Sequence, residues 1–214
     1  MLMALFSRNA AATASRIATP APQQLMVHGP GDPCRGAVEG FIRRIYAERY
    51  GAELRHFAPV LVSLRNEDGI VAAAGYRPAA QSPLFLERYL GEPVETLLGA
   101  HADAPPARDG IVEVGHLAAA HPGEGRRLIL LLGPHLAAQG FQWVVSTLTA
   151  ELRHLFVRIG VTPLALGTAD PEALGADAHA WGSYYDHRPV VLAGHLRQAM
   201  NQLARRQAAS RGEP

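Results

Sequence analysis

The sequence predicts a mixed α/β protein built on one central sheet with helices on both faces. Three observations predict it. Two apolar runs, residues 57–64 and 69–76, flank Arg65-Asn66-Glu67-Asp68-Gly69, and the Asp-Gly step suits a tight turn between antiparallel strands. Farther along, strand and helix patterns alternate: Ile111–Ala119 and 141–147 read as strands, while 123–139 and 149–159 read as helices. Finally, 214 residues that are 48% hydrophobic and 18% charged can bury a core without disulfides but make two full domains unlikely by size alone.

Each element follows from its own pattern. Residues 1–32 include a stretch rich in Ala, Pro, Gln, Gly and Ser without sustained apolar period, and are expected to form a flexible arm. Residues 33–200 form the domain. In Arg35–Tyr50, the side chains of Val38, Phe41, Ile42, Ile45 and Tyr46 recur at helical spacing, and Gly51 stands where a helix end wants a left-handed residue. After the hairpin, Ser82 can cap a helix carrying Leu84, Phe85, Leu86, Tyr89 and Leu90; Pro93 and a second stretch, 94–98, follow. The polar span 99–110, with Pro105-Pro106, reads as a loop. Within the 123–139 helix, Gly133-Pro134 should produce a kink or break, because an interior proline removes a hydrogen bond and costs roughly 3 kcal/mol. The 149–159 helix puts Leu152, Leu155, Phe156 and Ile159 on one face and ends at Gly160; residues 161–166 and 189–195 supply two more strands. Residues 201–214 read as a flexible tail.

Composition excludes several classes. A formal net charge of +1 disfavours a general nucleic-acid binder. All twenty basic residues are arginines, which with the abundance of alanine reflects a GC-rich genome more than a binding function. The single cysteine, Cys34, permits no internal disulfide and lies in the turn-like stretch Gly-Asp-Pro-Cys-Arg-Gly, where a surface or half-buried thiol is expected rather than a nucleophile. No uncharged apolar run approaches the roughly 18 residues that would span a bilayer, and the start carries no secretory pattern, so no integral membrane association and a cytoplasmic location are expected. The ten histidines fall into no metal-ligand spacing. No Walker loop, nucleotide fingerprint or nucleophile elbow is present.

The segment Ile111-Val-Glu-Val-Gly-His-Leu-Ala-Ala-Ala-His-Pro-Gly-Glu-Gly-Arg-Arg-Leu, with Leu155-Phe-Val-Arg-Ile-Gly-Val after it, resembles the strand, loop and helix start of the GNAT acyltransferase superfamily. The order of elements is also similar. That resemblance implies a mostly antiparallel central sheet whose middle strands splay apart around an acyl thioester of coenzyme A or phosphopantetheine, with no permanently bound cofactor. Backbone N–H groups at a helix start, approached closely through glycines, make an anion site that the helix dipole reinforces. His121, Gly123, Gly125, Arg126 and Arg127 would accordingly hold the phosphates, and Leu117, Ala118 and Ala119 the arm. The superfamily pattern has Arg or Gln, two residues, Gly, one residue, then Gly or Ala; here His121 falls too close before the glycines.

A closer resemblance covers most of residues 41–196. Leu86-Glu-Arg-Tyr-Leu-Gly-Glu-Pro-Val-Glu, Val112-Glu-Val-Gly-His-Leu-Ala, Gln139-Gly-Phe-Gln-Trp-Val-Val-Ser-Thr, Leu152-Arg-His-Leu-Phe and Trp181-Gly-Ser-Tyr-Tyr-Asp are similar to signatures of the thermostable hemolysin family, itself similar to acyl-homoserine-lactone synthases. That family usually carries Asn where this chain has His116. The resemblance implies an N-acyltransferase with an acyl-CoA or acyl-carrier-protein donor and a small amine acceptor. The alternatives are a protein that disrupts membranes directly and a non-catalytic module that binds acyl ligands.

The candidate residues follow. Glu113 lies in an otherwise apolar strand, where a carboxylate is expensive unless used or paired, and alternation puts it on the face of Ile111, Gly115 and Leu117. The resemblance makes it the general base; the structural alternative is an ion pair with an arginine such as Arg153. His116 points to the opposite face unless a bulge at Gly115 re-aims it, and is a second base or substrate contact. Tyr184 or Tyr185 would reprotonate the leaving thiolate, and Trp181 would wall the pocket or plug the sheet. Arg43 and Tyr46 share a helix face that could close over substrate. Thr147 could bond the pantetheine arm, and Phe85, Tyr89, Leu117 and Phe156 would form one apolar acyl pocket.

Overall fold

The computed structural model describes residues 24–102 and 104–211, with side chains described through Arg206. Seven strands form one sheet in the order β1-β2-β3-β4-β5-β7-β6, where β1 is Met26–His28, β2 Val60–Asn66, β3 Gly69–Pro78, β4 Ile111–Ala119, β5 Trp143–Leu148, β6 Leu164–Thr168 and β7 Val190–His195. Every neighbouring pair is antiparallel except β4 and β5. The mostly antiparallel α/β sheet expected from the sequence is therefore present.

Helix α1 (Arg35–Tyr50) has the bounds its periodicity predicts, and Gly51, at φ 66°, receives the chain in the left-handed conformation. Its face of Val38, Phe41, Ile42 and Tyr46 packs on Leu61, Ala73 and Ala118. On the opposite face, α3 (Glu124–Ala138) and α5 (Leu196–Arg211) cover Val62, Ala72, Val112 and Val114 with Leu128, Leu132, Leu136 and Leu196. Strands β2 to β4 are buried on both sides, which explains their nearly unbroken apolar runs. A short α2 (Val94–Gly99) and α4 (Ala150–Ile159) complete the layers.

Several elements differ from expectation. Within the stretch read as an arm, Met26–His28 adds to the sheet edge; His28 is buried and its Nε2 lies 2.9 Å from Ser63 Oγ. Residues 1–23 lie outside the described residues. The stretch after residue 200 is helical as far as Arg211, because its apolar side faces the core. Helix α3 runs unbroken through Pro134: Leu128, Leu132 and Leu136, four apart and buried, anchor both halves to the sheet, and that packing outweighs the missing bond. The helix expected from Ser82 is a 3-10 turn, Phe85–Tyr89, capped by the Glu87 carboxylate accepting from Leu84 N–H at 2.9 Å. The aromatic-rich segment does not lead straight into the last strand but forms a run of 3-10 turns, Pro171–His187, folded against α1.

Candidate functional site at the strand splay

The parallel pair β4 and β5 is joined only at Ile111↔Trp143, Val112↔Val144 and Glu113↔Val145. Beyond that the strands part, and Ser146 Oγ donates to the Val114 carbonyl at 2.8 Å as a side-chain tie across the start of the gap. Cavities open on both faces there. One, of about 560 Å³, lies on the α1 side and is lined by Tyr46, Phe57, Arg77, Phe85, Glu113, His116, Trp181 and Tyr184 among others. The second, of about 270 Å³, is bounded by α3, α4 and α5 and is almost wholly aliphatic apart from Phe156 and Ser146. Val114 and Leu117 line both, so the splay is the seam between them.

A bulge in β4 shapes that seam. Ala118 pairs with Ala73 and Gly115 with Gly75, so His116 and Leu117 together face Ala74. His116 takes φ 54°, a left-handed conformation uncommon outside glycine. The extra residue inverts the alternation: His116 turns to the side of Glu113, within 5.4 Å of the Phe57 ring, while Leu117 packs with the α3 core. Regular alternation groups Leu117 with Glu113 and sets His116 opposite; the bulge directly after Gly115 re-aims His116, as the sequence allowed, and moves Leu117 toward the other face.

Glu113 is not paired with Arg153. Its Oε2 accepts from Phe85 N–H at 2.8 Å and its Oε1 from Leu86 N–H at 3.1 Å, so the carboxylate caps the 3-10 turn while lining the cavity. Burial raises its pKa above the ordinary carboxylate range, against the opposing pull of those amides and of Arg77. Burial and the Arg77 cation bring His116 down to about 4, so its ring is neutral at neutral pH, and its Nδ1 is buried without a partner.

Four rings form the cavity's inner wall. Tyr46 stacks on Tyr184 at 6.3 Å, and Trp181 meets Tyr184 at 5.3 Å and Phe85 at 5.6 Å. Tyr184 donates its hydroxyl to the Thr147 carbonyl at 3.2 Å, tying the aromatic segment to the diverging end of β5. The hydroxyls of Tyr89 and Tyr185 are 2.6 Å apart. Burial holds the pKa of Tyr46, Tyr89, Tyr184 and Tyr185 above the usual phenol value, so all four stay protonated.

Of the residues singled out in the sequence, the structure brings Tyr46, Phe85, Tyr89, Glu113, His116, Leu117, Thr147, Trp181 and Tyr184 to this cavity. Tyr185 reaches it through Tyr89. Arg43 braces the wall instead, donating to the Leu54 carbonyl at 3.3 Å with its guanidinium 5.2 Å from the Phe57 ring centre. Phe156 belongs to the aliphatic cavity on the far face, so the single apolar pocket expected of Phe85, Tyr89, Leu117 and Phe156 is divided by the sheet. Arg153 lines neither cavity. Ala118 is buried against α1, and Ala119 packs toward α3.

The loop after β4 ends in Gly123, at φ 93°, and the first full helical bond of α3 runs from Arg127 N–H to the Gly123 carbonyl. Glu124 N–H is taken by the His121 carbonyl, leaving the amides of Gly125 and Arg126 at the helix start without a main-chain partner among the described residues. His121, Gly123 and Arg126 are exposed, and Arg127 lies 3.8 Å from Glu124. Free amides and arginines at a helix start fit a phosphate group, although one buried Glu124 oxygen also lies there without a partner. The loop borders neither cavity.

Sequence reasoning missed Phe57 and Arg77. Arg77 is the Cα partner of Glu113 across β3 and β4, a relation hidden from the sequence because more than thirty residues separate the two strands. Among the described residues no group of three His, Cys, Asp or Glu side chains is placed to hold a metal, and no helix is long and apolar enough to cross a membrane.

The sequence profile of the thermostable hemolysin family matches residues 28–200. No curated protein matches the sequence. Among solved structures, TofI in an apo form is 20% identical, covers 85% of this chain and 98% of its own, and superposes with a TM-score of 0.56. BjaI, a CoA-dependent acyl-homoserine lactone synthase with SAM and isopentyl-CoA, is 13% identical over 86% of this chain and 89% of its own, with a TM-score of 0.59. FeeM, an N-acyl amino acid synthase from uncultured soil microbes, is 13% identical over 84% and 95%, with a TM-score of 0.55. These likenesses establish a shared fold.

Proposed function

Because the chain belongs to the thermostable hemolysin family and its sheet opens between two unlike cavities, we propose that it is an N-acyltransferase moving a fatty acyl group from an acyl-CoA or acyl-carrier-protein thioester to a small amine. One observation carries this reading: an aliphatic cavity and a polar, aromatic one lie on opposite faces of the sheet and meet at Val114 and Leu117, beside Glu113. An acyl chain fits the first and an amine the second, with the thioester carbon at the seam. BjaI, described as a CoA-dependent acyl-homoserine lactone synthase, and FeeM, described as an N-acyl amino acid synthase, share the fold.

In the proposed reaction the amine nitrogen attacks the thioester carbonyl, a C–N bond forms and the C–S bond breaks. Glu113 accepts the amine proton directly or through one water, and main-chain N–H groups near Leu117 or Ala118 polarise the carbonyl. Tyr184, or Tyr185 acting through Tyr89, passes a proton to the thiolate, and the proton taken up by Glu113 restores the phenol, which burial keeps protonated. The helix start at His121 to Arg127 holds phosphate oxygens of the donor. Burial makes Glu113 a stronger base than an exposed carboxylate, whereas His116, at about 4, is a weak one and serves as a contact.

Thiol release from acyl-CoA donors of several lengths, supplied with a pool of amines, tests the proposal. Glu113→Gln should lower turnover by about 10² to 10⁴-fold. Full activity in that variant defeats the mechanism, and no turnover by the wild type defeats the function.

The family's description favours one other reading, direct membrane disruption. Its best vehicle is α5, which carries Arg197, Arg205 and Arg206, yet Leu196, Met200, Leu203 and Ala204 face the inner cavity and are not presented to a bilayer. Liposome leakage by the pure protein without acyl donor would support that reading, and leakage only with donor and amine supports the enzyme.

A further inference from the structure

Building on the acyltransferase reading above, we infer that the amine acceptor carries a carboxylate next to its nitrogen, as an α-amino acid does, and that Arg77 receives it. Three arginines line the cavity on the α1 side. Arg55 is paired with Glu53 at 3.6 Å and Arg88 with Asp177 at 3.3 Å. Arg77 has no carboxylate within ion-pair distance among the described residues. One of its N–H groups donates to the Pro83 carbonyl at 3.1 Å, which leaves most of its five donors available. The obvious partner, Glu113 across the strand pair, has both oxygens engaged by the amides of Phe85 and Leu86.

A guanidinium at the cavity wall, across the strand pair from an already satisfied carboxylate, can take a second one through two parallel N–H···O bonds, the geometry in which Arg binds carboxylates most strongly. Cross-strand neighbours stand about 5 Å apart at Cβ. The nitrogen of an α-amino acid is one carbon away from its carboxylate, so a carboxylate anchored on Arg77 presents the amine toward Glu113. Arg77 lines the same cavity as Glu113 and His116, and its field is felt at both. Phe85 and Trp181 offer apolar surface to the amino acid's side chain. The anchored carboxylate takes no part in bond making: the amine proton passes to Glu113, the C–N bond forms, and the thiol leaves with a proton. The product is an amide with one acyl chain and a free carboxylate.

The test uses the full chain with decanoyl-CoA and two acceptor pools, the protein amino acids and the amines obtained by decarboxylating them, with amide products read by mass spectrometry. Wild type should favour the amino acids by about 10- to 100-fold in kcat/KM, the loss expected when a charged hydrogen-bond partner is missing. Arg77→Gln should bring that ratio to within a few-fold of unity, and Arg77→Lys should recover part of it. Equal or better use of the decarboxylated amines by wild type overturns the inference while the acyltransferase reading stands. An amino-acid preference that survives in Arg77→Gln assigns the carboxylate to another group and also overturns it. No amide from either pool, or from phosphate-bearing amines added as a third, overturns the acyltransferase reading and this inference together.

Discussion

His116 combines a left-handed backbone, a buried ring with an unpartnered Nδ1, and a pKa held at about 4 by burial and by the nearby arginine cations. Its contribution to pH-dependent stability has a definite sign. The unfolded chain takes up the proton near the ordinary value of 6.5 and the folded chain only near 4, so His116's contribution is complete above 6.5, drains away between those values and is exhausted below 4. The loss amounts to at most roughly 3 kcal/mol. His116→Asn should remove that acid sensitivity, because Asn does not titrate and tolerates positive φ; urea denaturation at pH 7 and pH 4.5 checks it, and an unchanged difference between the two would refute the assignment. Because Asn accepts the left-handed backbone, the substitution should also preserve the bulge.

At the scale of elements, the site depends on the Pro171–His187 segment reaching α1. Gly182 makes this possible with φ 53° and ψ −129°, a backbone only glycine adopts readily, and a Cβ there would collide with the Tyr50 carbonyl. The same contact is held by Glu53 N–H donating to the Ala180 carbonyl at 2.7 Å and Ser183 Oγ donating to the Tyr50 carbonyl at 3.2 Å. Gly182→Ala should therefore cost roughly 3 kcal/mol or more, from strain and overlap together. Trp181 and Tyr184 would lose their positions, so acyl transfer should fall with stability, measured by denaturation midpoint and thiol release on the same preparation. A variant as stable as wild type would show that the segment can reach α1 by another path.

Across the whole molecule, the sheet separates two environments and its one parallel pair joins them. Antiparallel strands on both sides fix β4 and β5 at their paired ends, while the bulge and the Ser146 tie set where they part. Helix α5 then closes the aliphatic cavity from outside the strand core through Ala199, Met200 and Leu203. If that cavity holds the acyl chain, Ala199→Trp should fill it and lower the ratio of long-chain to short-chain acyl-CoA turnover by about tenfold or more, since even one methylene in an apolar pocket is worth about that factor or more. A competition between hexanoyl-CoA and dodecanoyl-CoA reads the ratio directly; an unchanged ratio would place the chain elsewhere.

The sequence by itself determined the elements with strong local signals: α1 with its glycine cap, the Asp-Gly hairpin, β4 to its last residue, and the helix after β5. It also marked Glu113 as an anomaly, because a carboxylate within an apolar strand is costly wherever the strand goes. Tertiary structure alone decided what that carboxylate touches. The side toward which His116 turns rests on a one-residue register shift, and the nearness of Arg77 to Glu113 rests on pairing between strands more than thirty residues apart. Residues 24–32 and 201–211 carry too little apolar period to be read as structure alone; they gain order by adding to a sheet edge and by covering an aliphatic cavity that the rest of the chain has already built. Local pattern reports what a segment can form by itself, whereas the site arises where two neighbouring strands stop pairing, a property of neither strand alone.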